Sequence, residues 1–422
     1  MEAEDTVWTW ERELPLRYVL VSEEWDGELT VWTRCAGADG LFVDPAPRRE
    51  RLMLVDCAPV GRLLKAVEGF HAGSGRPVPL GELAVIVDFP VFGADPACDP
   101  GGAYGDDHWE LPDAVLTAAE PSASDPARYD LVVEAEARGP VWRRTEPADA
   151  EWSLFNGAGG GGLGVCHRIE GLYSELRPLV TAPPMRLIGC EPGEYLLRRL
   201  VRPRADGDRL RLLAVDRSGQ VMRSWNDLAL SVLASRPSTE GGTLLDLWLA
   251  AGPVARPLPE TRPVWEAWYE GPPTETGTWA GLSTEGRREW GAFAAARHEA
   301  GRAGTAATST GSDGPSDDAS DDVAAPVRHL DGRHVTDVPG LLCALGEAVA
   351  GPGGHDPQCW GVLRGCPCGG VAPATPFTLV WHEAAVARRA LAEVTVDTAG
   401  ERPYVDDVVD FLTGLGITVE FR

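Results

Sequence analysis

The chain has 422 residues and sets 64 acidic side chains against 38 basic ones, a net charge of −26. That charge repels phosphate backbones and argues against nucleic acid as a partner. No apolar run reaches the roughly eighteen residues of a membrane span. The start, MEAEDTVWTWERELPL, is acidic where an export signal is basic and then apolar, so a cytoplasmic protein of about two to four domains is expected. The nine cysteines are then read as reduced thiols, most of them small core residues.

The first module, residues 1–143, carries alternating apolar runs that read as strands: LRYVLVS from Leu16, ELTVWTRC from Glu28, RLMLVDC from Arg51, LAVIVDF from Leu83 and YDLVVEA from Tyr129. Gly61–Val67 predicts a helix after the third strand. Leu111-Pro112-Asp113 reads as the start of another.

Residues 150–253 repeat this pattern. Cys35 with Asp39-Gly40-Leu41-Phe42 matches Cys166 with Glu170-Gly171-Leu172-Tyr173, and Cys57-Ala58-Pro59 matches Cys190-Glu191-Pro192. The cysteines stand 22 apart in one copy and 24 in the other, each second one preceding a helical segment. Core positions explain these cysteines more simply than a metal clip, which usually takes two ligands from one knuckle. The run from Asn156 to Gly162 lacks the Gly-Lys-Ser/Thr of a phosphate loop and reads as a hairpin turn.

Residues 254–303 are rich in tryptophan. A helix opening at Ser283 or Thr284 puts Trp290, Phe293 and Ala294 on one face, which points to packing rather than to an exposed partner surface. Residues 304–326 carry five aspartates without apolar periodicity, the composition of a disordered acidic tether, so residues 327–422 are expected to form an independent domain. Within them the apolar period alternates between strand and helix, predicting a short parallel sheet covered by helices.

Five pieces of this last segment carry a family resemblance. They are Leu330-Asp331-Gly332-Arg333, Leu341–Val349, the Gly351–Gly354 break, Pro376–Trp381, and Gly416-Ile417-Thr418-Val419. In order and spacing they resemble the barstar family of intracellular ribonuclease inhibitors. The resemblance implies a barstar-like α/β C-terminal domain, which here follows the duplicated, strand-rich α+β module read from the repeat. It also implies occlusion of the active-site cleft of a basic ribonuclease or related toxin by carboxylates. Separately, no Ser-His-Asp spacing, paired-carboxylate signature or cofactor loop emerges, so neither catalysis nor a cofactor is expected. Partner contacts would fall to Asp356, Gln358, Trp360, Gly361, Arg364, Gly365, Glu401 and Asp406.

Gly361, Arg364 and Gly365 stand where the family places its acids. The segment stays acidic nonetheless, with twelve carboxylates against seven arginines. A zinc site on His355, Cys359, Cys366 and Cys368, with His382 beyond, is one alternative for this stretch. The other is a non-inhibitory binding or scaffold protein in which the duplicated module carries the main interaction.

Overall fold

The computed structural model describes residues 7–23, 29–43, 49–90, 104–139, 145–157, 162–173, 184–201, 208–250, 256–306, 326–354, 377–392, 394 and 402–422. The chain folds as two compact units, one of Met1–Pro45, Val180–Ala387 and Leu415–Arg422, the other of Ala46–Leu179 and Arg388–Gly414.

In the first unit six antiparallel strands close into a barrel. They are β1 (Tyr18–Glu23), β2 (Leu29–Asp39), β10 (Met185–Pro192), β11 (Asp208–Val215), β12 (Val221–Pro237) and β13 (Leu245–Ala250), in the order β1-β11-β12-β13-β10-β2 with β1 returning to β2. Alternation decides which side chains turn inward: Leu187, Leu247, Leu249 and Leu213 are buried, as period 2 requires. Helix α2 (Glu194–Val201) follows β10 and buries Leu196.

The second unit holds β3 (Arg49–Pro59), β4 (Val78–Pro90), β5 (Tyr104–Pro121), β6 (Tyr129–Glu136), β7 (Glu151–Asn156), β8 (Gly162–Cys166) and β9 (Arg168–Glu170). Their order is β6-β5-β4-β7-β8-β3-β9, and an additional β3–β6 pairing brings the circuit back on itself. Helix α1 (Gly61–Ala72) buries Leu63, Ala66 and Val67, the spacing of one helical face. Gly164 sits at φ 136 in β8, where a Cβ would press on the Ala58 carbonyl of β3; only glycine allows the two strands to approach so closely.

The two circuits are the same when β1, β2, β10, β11, β12 and β13 replace β7, β8, β3, β4, β5 and β6. Each therefore takes its opening hairpin from one sequence repeat and its four remaining strands from the other. A left-handed residue at a register shift precedes the corresponding cysteine in both: Asp56 (φ 53) before Cys57 and Gly189 (φ 59) before Cys190. An aspartate satisfies each bulge, since Asp56 N donates to Asp130 Oδ1 at 2.8 Å and Gly189 N to Oδ1 of the buried Asp246 at 3.1 Å.

This architecture overturns the expected fold class. The chain is built mainly of antiparallel strands, with a closed six-stranded barrel, and only seven α-helices lie among the described residues. It is not a barstar-like α/β fold. Among the described residues, parallel pairing is confined to the short strands β14 (Val327–Asp331), β15 (Thr378–His382) and β16 (Thr418–Phe421). The helix expected at Leu111-Pro112-Asp113 is also corrected: these residues lie inside β5, where Asp113 at φ 49 marks a strand irregularity.

The tryptophan-rich segment forms α3 (Arg262–Tyr269) and α4 (Thr284–Ala306). Trp268 meets Trp290 at 5.3 Å and Phe293 at 5.8 Å between ring centroids, all three buried. Helix α5 (Val338–Ala350) packs on α4 and on β14, so this part of the C-terminal segment shares a unit with the barrel rather than standing alone. Two more helices, α6 (Ala384–Ala390) and α7 (Tyr404–Gly414), complete the described elements. No described helix is long and apolar enough to cross a membrane.

Candidate functional site

The strongest buried polar arrangement of the first unit lies where α4 meets α5. Asp337 caps α5 by accepting from Gly340 N at 2.7 Å, and its other oxygen takes Thr284 Oγ1 at 2.7 Å and Arg287 Nη1 at 2.9 Å. Arg287 reaches Thr336 Oγ1 at 2.7 Å and the Ala280 carbonyl at 2.9 Å as well. One turn from the end of α5, Glu347 accepts from Gly277 N at 2.7 Å and from Trp279 Nε1 at 2.9 Å.

Burial raises the Glu347 carboxyl above its ordinary range, against those two bonds and a third from the Gly353 backbone, which pull it down. Perturbed carboxylates often mark active sites. Here every contact described is between elements of the scaffold, so the cluster fastens α5 to the tryptophan-rich segment. Because the folded chain keeps this proton to a higher pH than the unfolded chain, the associated stability is complete below the ordinary glutamate range and is lost as pH rises through the folded value. Denaturant midpoints measured across that range should fall more steeply with pH for the wild type than for Glu347→Gln.

The residues singled out in sequence are brought together nowhere among the described residues. Asp356, Gln358, Trp360, Gly361, Arg364, Gly365 and Glu401 lie outside them, as do His355, Cys359, Cys366 and Cys368. Asp406 lies on α7 and binds Arg388 at 2.9 Å, while Asp407 and Asp410 both bind Arg402, at 3.2 and 2.8 Å. These carboxylates are thus matched inside the chain. His382 meets His329, with Nε2 and Nδ1 3.0 Å apart. No group of three or more His, Cys, Asp or Glu placed to hold a metal ion occurs among the described residues.

Sequence reasoning missed a surface on the barrel. In β13 the buried Leu247 and Leu249 flank Trp248, which therefore faces outward, and in β10 the buried Met185 and Leu187 flank Arg186 in the same way. Trp248 is the direct partner of Arg186 on one side and of Ala234 on the other. The Arg186 guanidinium stands 5.8 Å from the Trp248 ring centroid and that of Arg236 stands 5.4 Å away. Arg186 also binds Asp39 at 2.6 Å.

Apolar groups extend the patch. Ile188, two residues beyond Arg186, lies opposite Gly37, which offers no side chain to cover it. Leu233 on β12 is 58% exposed at a register shift. Comparisons with protein families, curated proteins and solved structures found no match. The chemistry of this face must therefore speak for itself: a half-buried indole between two guanidinium groups, edged by aliphatic side chains, is the composition of an interface hot spot. The outward position of Trp in the alternating run Leu245–Ala250 was the signal available in the sequence.

Proposed function

We propose that the chain is a non-catalytic, cytoplasmic protein-binding scaffold whose duplicated β region carries the main interaction. The observation that carries this reading is the outward Arg186–Trp248–Arg236 ladder on strands β10, β13 and β12. An arginine over an indole can still turn N–H groups toward carboxylates, as Arg186 does toward Asp39, and the indole supplies apolar area at small entropic cost. The matching partner is a protein presenting acidic side chains around an apolar spot.

A second reading, occlusion of a basic ribonuclease or related toxin, is favoured by the net charge of −26, which draws a basic protein toward the chain. Both readings meet in one experiment. Full-length protein is tested against the products of neighbouring genes and against small basic ribonucleases, measuring affinity and residual RNA cleavage. Trp248→Ala is expected to weaken partner binding by about thirty-fold, the loss of a central anchor, with Asp406→Asn neutral and circular dichroism unchanged in both. Equal binding by wild type and Trp248→Ala would sink the scaffold reading, and cleavage blocked equally by wild type and Trp248→Ala would favour the inhibitor.

A further inference from the structure

Four of the buried free cysteines fall into two pairs, and the pairs occupy the same place in the two circuits. Cys35 of β2 is the direct cross-strand partner of Cys190 of β10. Cys166 ends β8 next to the Ala58–Val165 pair of β3 and β8, and its thiol is hydrogen bonded to that of Cys57. In each pair one cysteine comes from the exchanged hairpin of one repeat and the other from the strand before the helix of the other repeat. The two cysteines of each repeat are thus not each other's neighbours; the sheets join each to a cysteine of the other repeat.

Chance packing of small residues does not require two thiols to face each other at both equivalent sites. Directly opposed residues of an antiparallel pair have Cα atoms about 4.5–5.5 Å apart, inside the span of roughly 4.4–6.8 Å that a disulfide bridges. Two ligands are too few for a zinc site of the usual four. A soft metal would also need both sulfurs as thiolates, whereas burial and the neighbouring thiol push Cys190 and Cys166 up.

We propose that Cys35–Cys190 and Cys57–Cys166 are two disulfide sites that staple each exchanged hairpin to the opposite repeat when the chain meets a disulfide oxidant. In each reaction the two thiols release two protons and two electrons, an Sγ–Sγ bond forms, and the oxidant's own disulfide is cleaved to two thiols. The folded pairs are buried out of reach of an oxidant, so exchange takes place while the strands are open, during folding or a transient unfolding. Once closed, each bond is sealed in the sheet and resists reduction. The links span long chain segments, from residue 35 to 190 and from 57 to 166, where a covalent tie restricts the unfolded state most.

The test refolds the reduced, denatured full-length chain in a mixture of reduced and oxidised glutathione and quenches it with iodoacetamide. The expected product has lost four hydrogens, yields the linked peptides of Cys35 with Cys190 and of Cys57 with Cys166, and unfolds at higher guanidinium concentration than the reduced chain. Cys35→Ala should abolish the first link alone and Cys166→Ala the second alone. Nine alkylated thiols, or links scrambled among other cysteines, would overturn the proposal, and because mapping of the wild type decides the matter, a poorly folding variant does not blunt the test.

Discussion

Arg287→Ala is expected to destabilise the chain by about 3–5 kcal/mol, the usual consequence of removing one partner of a buried ion pair. The side chains of Arg287 and Asp337 are 9% and 19% exposed, so water can replace the lost guanidinium only in part. Asp337 would keep its cap on Gly340 and its bond from Thr284 but hold an unbalanced charge. Thr336 and the Ala280 carbonyl would lose their donor as well. Arg287→Lys keeps the charge without the fork that reaches all three acceptors and should recover only part of the loss. Guanidinium unfolding of the two variants beside the wild type measures this. A shift for Arg287→Ala no larger than that of an exposed pair, up to about 1 kcal/mol, would show that the junction does not depend on it.

The predicted elements succeed or fail for physical reasons. Helix α1 and the buried face of α4 were legible because one helix carries its own periodic record: Leu63, Ala66 and Val67 in one, Trp290, Phe293 and Ala294 in the other. Strand runs were equally visible, since period 2 tells which side chains face inward. It does not tell which strand lies alongside. Nothing in the run LTVWTRCAGAD says that β2 pairs with β10 of the other repeat, so the closed barrel and the exchange of hairpins were not readable. Leu111-Pro112-Asp113 misled because Pro and Asp near an apolar residue imitate a helix start, whereas Asp113 in fact bends a long strand.

The candidate site fared differently from the fold. Residues taken from the family resemblance cluster at 356–365, outside the described residues. Asp406, which is described, turned out to be matched with Arg388, a pairing across 18 positions that no local pattern announces. The ladder at Trp248 needs three strands side by side before two arginines can be seen to share one ring. Its residue types were in the sequence, but their adjacency belongs to the register.

The second large effect concerns the C-terminal segment, which composition made look detachable. A chain ending at Pro326 is expected to be markedly less stable and prone to association, not simply shorter. Trp279 Nε1 and Gly277 N would lose the Glu347 carboxylate, and Arg287 would lose Asp337 and Thr336. Gly353, which lies close enough to Pro273 and Trp268 to leave no room for a side chain, would no longer cover them. Trp279 and Trp268, 2% and 3% exposed in the full chain, would face water. Arg287 would be left to water and lose its ion pair, while uncovering each large apolar side chain costs about 1.5–3 kcal/mol. Tryptophan emission should shift to the red, the thermal midpoint should fall, and sedimentation should show oligomers. An unchanged midpoint and a monomeric truncated chain would refute the junction. The outcome also bears on function, because loss of a partner on truncation would report damage to the shared unit and not the location of the contact, whereas Trp248→Ala leaves the α4–α5 junction intact and isolates the barrel face.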